Sequence, residues 1–172
     1  MTYQTQSSLP SVQAAIASPA SINFVTFSTN VSATIGTTIS AASISATLGS
    51  ALTLSSGSVV LPSGYWYYIE AAVQAQVPVG DTSVSDFLDI QWHDGASYVG
   101  SIGRTCPYDR ADAATAARDE KALALIDATS ASVSVALRVV GVGGLVTVVN
   151  STGTHYQYAG GSRAMIIQLE AP

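Results

Sequence analysis

The chain has 172 residues, of which 48% are hydrophobic and only 10% are charged, and its net charge is −5. This length suits one domain with a sizeable core, and the few, scattered basic residues argue against nucleic acid, which is bound mainly through Lys and Arg. No apolar run is long enough to cross a membrane as a helix, so we expect no membrane partner. Soluble surfaces usually carry more charge. We therefore expect a surface coated by hydroxyl groups and covered in part by partners.

The first 19 residues are interpreted as a unit of their own. They lack the basic and apolar regions of a secretion signal, so we expect the protein to be made and folded in a cytoplasm. Residues 11–18 can form two helical turns, with Leu9, Val12 and Ile16 on one side. A helix this short is marginal in water, so we interpret residues 1–19 as a docking arm. A frayed terminus is the alternative.

Residues 20–172 carry a strand pattern that is clearest in the stretch 61–77. After a Pro-Ser-Gly turn, Tyr67 and Ile69 fall on one face, whereas Tyr68 and Glu70 fall on the other. Strand side chains alternate between two faces, so this stretch is predicted to be a half-buried β-strand. Upstream, β-branched residues and recurring glycines predict further strands, and the first charged side chain of the chain is Glu70.

The remaining sequence predicts more strands and one exposed excursion. Asp94-Gly95 predicts a hairpin between strands 86–92 and 97–103. Residues 104–121 hold eight of the seventeen charged side chains and are predicted to be an exposed excursion with one helical turn. Further strands are predicted at 122–126, 131–140, 145–149, 155–158 and 163–170, with a glycine turn at 141–144. About eight to ten strands with short connections and little helix predict an all-β, antiparallel sandwich or barrel.

The predicted core follows from the more apolar face of each strand. A slip of one residue would exchange the two faces of a strand, so burial of these side chains tests the register. The expected core residues are Tyr67, Ile69, Val73, Leu88, Ile90, Val135, Leu137, Val146, Val148 and Ile167.

Several motifs resemble the C1q/tumour-necrosis-factor jelly roll over residues 21–170. The family has an apolar strand followed by a Gly-x-Tyr-x-Phe start of the next strand. Here residues 59–64 are followed by Trp66 in the tyrosine position and Tyr68 in the phenylalanine position. The Asp94-Gly95 turn matches the family's hairpin, and residues 161–169 match its terminal strand.

The resemblance implies an assembly as well as a fold. Such jelly rolls usually form trimers, and similar domains recur as phage fibre tips and capsid decoration proteins. It therefore implies a homotrimeric virion protein assembled in a bacterial cytoplasm. Two positions depart from the family pattern: residues 131–132 replace a Gly-Asp pair, and Glu70 lies on the face that the family would bury.

Few side chains point to chemistry. There is no Gly-x-Ser-x-Gly elbow for a hydrolase triad. His93 and His155 lie far apart in the sequence, and Cys106 lacks a CxxC partner or a neighbouring histidine. We therefore expect no enzyme activity and no cofactor.

A metal site is the remaining chemical possibility. Asp86, Asp89 and Asp94 could supply oxygen ligands to calcium, but their spacing is not that of an EF-hand loop. Solvated acids flanking a strand are the simpler interpretation, so we predict no metal site.

Two classes of function remain. The first is a trimeric decoration or cement protein that stabilises the phage head by docking on the major capsid protein or another virion protein. The alternative is a trimeric tail or head fibre tip that binds a host-surface glycan by stacking it on Trp66, Trp92 or tyrosines such as Tyr68. The short apolar arm with Leu9 and Ile16 favours the first.

Overall fold

The computed structural model describes residues 19–28, 31–76, 86–106, 120–144, 146–149 and 162–170. Every regular element within these residues is a β-strand. The strands are β1 (Ser21–Phe27), β2 (Val31–Ser32), β3 (Thr38–Ile39), β4 (Ala41–Leu48), β5 (Thr53–Ser55), β6 (Ser58–Leu61), β7 (Tyr65–Ala72), β8 (Gln74–Gln76), β9 (Phe87–His93), β10 (Tyr98–Thr105), β11 (Ala122–Ala128), β12 (Val133–Gly143), β13 (Thr147–Val149) and β14 (Arg163–Glu170). Eight of them have seven residues or more and the other six have four or fewer, so the described residues hold more strands than the predicted eight to ten.

The strands form two main sheets that pack face to face. The five-stranded sheet has the order β11-β7-β14-β1-β4, and the six-stranded sheet has the order β10-β9-β12-β6-β5, with β3 also pairing with β12. A small third sheet has the order β2-β13-β8. All of these pairings are antiparallel. The predicted all-β antiparallel sandwich is therefore confirmed.

The core between the sheets is built from alternate residues of the long strands. Eight of the ten predicted core residues are buried, namely Tyr67, Ile69, Val73, Leu88, Ile90, Val135, Leu137 and Val146. The prediction for Ile167 is wrong: it pairs with Tyr68 and is only partly buried, whereas Ile166 pairs with Ile69 and is fully buried. Two adjacent isoleucines leave the inward one undetermined by pattern alone. The side chain of Val148 lies outside the described residues.

The two sheets are joined along β10 and β11. The buried Trp92 donates its indole N–H to the carbonyl of Ala122 at 3.2 Å, and the amide of Glu120 donates to the carbonyl of Arg104 at 2.7 Å. The amide of Leu123 donates to the hydroxyl of Ser101 at 3.1 Å. Backbone groups on the outer edge of β11 are therefore hydrogen-bonded to the opposite sheet and are not available to pair with a strand of another molecule.

Three sequence predictions need correction. The strand predicted over 61–77 is interrupted at Val73, because β7 ends and β8 joins the small sheet; the hydroxyl of Thr105 donates to the Val73 carbonyl there at 2.9 Å. The glycine turn predicted at 141–144 begins only after Gly143. Gly141 extends β12 beside Asp89, whose carboxylate would lie 2.9 Å from an added Cβ. Arg104 belongs to β10 rather than to an excursion.

Three further predictions fall on other parts of the chain. The helical turn within 104–121, the strand at 155–158 and residues 1–18 of the arm lie outside the described residues.

The predicted hairpin between β9 and β10 is confirmed, and Asp94 closes its turn. The carboxylate oxygen Oδ1 accepts hydrogen bonds from the amides of Ser97 at 2.8 Å and Ala96 at 2.9 Å. These bonds from Ser97 and Ala96 lower the pKa of Asp94, because they stabilise its charged form. The turn residue Gly95 has a φ of 98°, which a side chain would disfavour.

This geometry gives a pH-dependent contribution to stability. Because the folded pKa of Asp94 lies below the unfolded value of about 3.9, its contribution is present above that value and is lost as the pH falls through the folded pKa. Asp94→Asn cannot ionise. We expect the wild-type protein to melt higher than the variant at pH 7, and the difference to shrink below about pH 4. Calorimetry of both proteins across pH 2–7 tests this, and a constant difference would contradict it.

Candidate functional site: the outer face of the five-stranded sheet

Of the predicted binding residues in the described chain, Trp66 and Tyr68 lie on β7 and point away from the core, whereas Trp92 is fully buried and cannot serve as a stacking surface. Trp66 and Tyr68 belong to the outer face of the five-stranded sheet, because the buried residues of β7 are Tyr67, Ile69 and Ala71. The other predicted binding residues, Leu9, Val12 and Ile16, lie outside the described residues.

Large apolar side chains cross this outer face in a continuous row. Strand pairing places Leu125, Tyr68, Ile167, Ile22 and Leu48 side by side, one from each of the five strands. A row of this kind brings neighbouring side chains into reach of one another on one face of the sheet.

Further apolar residues lie beside that row. We call the whole set the apolar face; it comprises Ile22, Phe24, Leu48, Trp66, Tyr68, Leu123, Leu125, Met165 and Ile167. The exposed fraction is 56% for Leu125, 46% for Leu48, 38% for Phe24 and 37% for Leu123. Contiguous apolar patches on a soluble protein mark interaction sites, whereas single exposed apolar residues do not.

The sequence of β11 shows how the apolar face arises. Ala122 and Ala124 point inward and are buried, whereas the larger Leu123 and Leu125 alternate with them and point outward. Small inward residues fit the close approach of β10. Placing the larger residues on the outside is the reverse of the usual arrangement in a sheet with one solvated face.

One carboxylate lies within the apolar face. Glu70 pairs across the strands with Leu123 and Met165, and its side chain is only 18% exposed. The ammonium of Lys121 lies 2.6 Å from Glu70 Oε1, and the hydroxyl of Tyr68 donates to Oε2 at 3.2 Å. Burial, and then the charge of Glu70, raise the pKa of Tyr68. The negative charge of Glu70 is thus balanced by Lys121 of the same chain.

The remaining described charges of this face lie towards its ends. Asp127 pairs with Trp66 across β11 and β7 and accepts hydrogen bonds from the hydroxyl and amide of Thr129, which lower its pKa. Arg163 pairs with Ala72 at the opposite end. With Glu70 and Lys121, the described residues of the face carry two positive and two negative side chains, so its net charge is zero.

The other predicted chemical groups are not assembled into a site. Asp89 forms a bidentate ion pair with Arg104 at 2.6 and 2.7 Å, and Asp94 is used by its turn. Buried His93 accepts a hydrogen bond from Gly95 and packs edge-on against Tyr98. Over the described ranges, no group of three or more His, Cys, Asp or Glu residues could hold a metal ion.

Sequence reasoning found Trp66 and Tyr68 but missed most of the apolar face. The alternating Ala-Leu-Ala-Leu of β11 was the available signal for Leu123 and Leu125. No residue pattern indicated that Lys121 would meet Glu70, because the two are 51 positions apart.

The part of the chain that the structure describes contains no helix long and apolar enough to cross a membrane. A comparison with protein-family models finds no match, and a comparison with curated proteins finds none either.

Proposed function

We propose that the protein is a non-enzymatic structural component of a phage virion, a homotrimer that decorates and stabilises the head. The single observation that carries the proposal is the apolar face, which spans all five strands of one sheet. The trimer and the virion are what the resemblance to C1q/tumour-necrosis-factor jelly rolls implies.

The occupant of the apolar face is a copy of the same chain. The chain carries a net charge of −5, so two copies repel through most of their surfaces. The described residues of this sheet face carry no net charge, and the Glu70 carboxylate already has an ammonium partner 2.6 Å away. Copies can therefore meet around Glu70 without leaving its charge unpaired in the interface.

A closed ring of copies can bury the apolar face of every subunit. In a ring of three copies, one part of each apolar face meets a different part of the next copy's face; the ring leaves no open end, whereas a contact of this kind that does not close would propagate into a filament. Three copies are the number that the resemblance implies. Burial of the exposed Leu48, Leu123 and Leu125 would stabilise the ring by the usual hydrophobic contribution, about 25 cal/mol for each Å² removed from water.

Docking of the trimer on a virion is assigned to the arm. Three arms displayed on one trimer bind jointly through their high effective concentration, even where one arm alone binds weakly. The apolar residues Leu9, Val12 and Ile16 are the proposed contacts with the major capsid protein or another virion protein.

The glycan-binding fibre tip is the less favoured candidate. Trp66 and Tyr68 lie on one face, as a stacking platform requires. Three of their four cross-strand neighbours, Leu125, Ile167 and Leu169, offer no hydrogen bonds to sugar hydroxyls, and the fourth, Asp127, already accepts two hydrogen bonds from Thr129. Burial against protein suits this environment better.

The test is the mass of the purified protein by light scattering at micromolar concentration. We expect three times the chain mass of 17.6 kDa for the wild type, and the monomer mass for the double variant Phe24→Glu/Leu125→Glu, because two buried charges would oppose association. The matched control is Leu54→Glu/Ile35→Glu, which changes residues outside the apolar face with comparable exposures of 37% and 69%. It should remain trimeric.

Two outcomes would contradict the proposal. A monomeric wild type would exclude the trimer, and a trimeric face variant would exclude the apolar face as the interface. Copy number per particle then separates the two virion roles, since a decoration protein is present in many copies and a fibre tip in few.

A further inference from the structure

The charged pair of Glu70 and Lys121, at the β11 edge of the apolar face, is the feature least explained by self-association alone. Glu70 lies between the apolar side chains of Leu123 and Met165, which need no charge in order to pack on a neighbour. Both oxygens of Glu70 are occupied, by Lys121 and by the Tyr68 hydroxyl. The Lys121 side chain is 53% exposed, whereas that of Glu70 is 18% exposed.

We propose that Glu70 and Lys121 fix the register in which copies of the chain meet. This inference rests on the proposed self-association and names the residues that determine its specificity. Apolar contact is non-directional, so the apolar faces of neighbouring copies in a ring can pack in several registers. A polar pair that must be buried with all its hydrogen bonds made restricts them to one, as buried polar residues do in some coiled coils.

Lys121 is the group that would bind the neighbouring copy. An ammonium has three N–H donors, and the carboxylate of Glu70 takes one of them at 2.6 Å. The exposed side of Lys121 faces solvent in the single chain. In the assembly it must meet a carbonyl, hydroxyl or carboxylate oxygen of the neighbouring copy, because a buried N–H without a partner is costly. Only a register that provides such an oxygen is then stable.

This role predicts a characteristic pattern among variants. Removing one member leaves the other charged and unpaired in the interface, whereas replacing both with apolar residues leaves no charge to satisfy. Glu70→Gln and Lys121→Met should each weaken association about 100-fold or more. The double variant Glu70→Leu/Lys121→Met should associate within about tenfold of the wild type, but in more than one oligomeric size.

The six-stranded sheet provides a matched control. Arg104 and Asp89 form an ion pair of the same 2.6 Å length, with similar side-chain exposures of 48% and 11%. Arg104→Met breaks that pair outside the apolar face. It should change the association constant by less than about threefold.

Sedimentation equilibrium gives the association constant and the oligomeric sizes present. Urea unfolding of each variant, at a concentration low enough for it to be monomeric, gives the stability of the single chain. The expected result is weak association for both single variants, with single-chain stability no lower than that of Arg104→Met. The inference is wrong if the single variants associate like Arg104→Met. It is also wrong if the double variant is as weak as they are or forms one size only. A monomeric wild type would instead overturn the proposed function itself.

Discussion

Replacing Trp92 with alanine is expected to lower the free energy of unfolding by about 3–5 kcal/mol, the usual cost of removing a large buried aromatic side chain. Trp92 is fully buried and packs on Phe27 of the opposite sheet, with ring centroids 6.5 Å apart. It also donates to the Ala122 carbonyl where β10 and β11 close the sandwich. Its loss therefore opens a cavity and leaves a buried acceptor without its partner.

A second variant separates the two contributions. Trp92→Phe keeps an aromatic ring in the core but removes the N–H donor, and we expect a cost of about 1–3 kcal/mol. Urea unfolding at one fixed protein concentration measures both variants, since the stability of an oligomer depends on concentration. A loss below about 1 kcal/mol for Trp92→Ala would mean that the site collapses around the missing ring.

Gly100→Ala is expected to lower the free energy of unfolding by about 2–4 kcal/mol. Gly100 has a φ of 74°, and a Cβ there would overlap the carbonyl oxygen of Leu123 and lie 2.6 Å from the Cβ of Ala124. Both obstacles belong to β11, which is held in place by its pairing with β7. The backbone of β10 or β11 must therefore move where the two sheets meet.

Gly64→Ala is the matched control for this variant. Gly64 has a φ of 96° but nothing lies within 4 Å of an added Cβ, so only the backbone strain remains, at about 1 kcal/mol. The difference between the two alanine variants measures the close approach of β10 to β11. Thermal unfolding of both proteins at the same concentration gives this difference. Equal losses of stability would show that β10 and β11 can move apart to accommodate a methyl group at little cost.

Gly100 and Trp92 both contact β11, so they also position the apolar face. The amide of Leu123 is held by Ser101 of β10, and Leu123 and Leu125 present their side chains outward from the same strand. A displaced β11 would alter the face as well as the core. We therefore expect Gly100→Ala to weaken self-association, which Gly64→Ala should not do.

Local alternation was enough to predict much of the sandwich from the sequence. In β7 and β9 the more apolar face recurs at every second position, which is the period of a strand, so alternation places Tyr67, Ile69, Leu88 and Ile90 inward. The Asp94-Gly95 turn was equally clear, because a carboxylate that bonds the following amides and a glycine at positive φ suit a tight hairpin.

Tertiary structure decided what alternation left open. Ile166 and Ile167 are both apolar, and only the pairing of β14 with β7 selects Ile166 for the core. The apolar face is likewise a product of sheet order, since Leu125, Tyr68, Ile167, Ile22 and Leu48 come from five separate parts of the chain. The meeting of Lys121 with Glu70 requires β11 to lie beside β7. Sequence determines which side chains a strand offers to each face, but only long-range strand pairing determines which of them become neighbours.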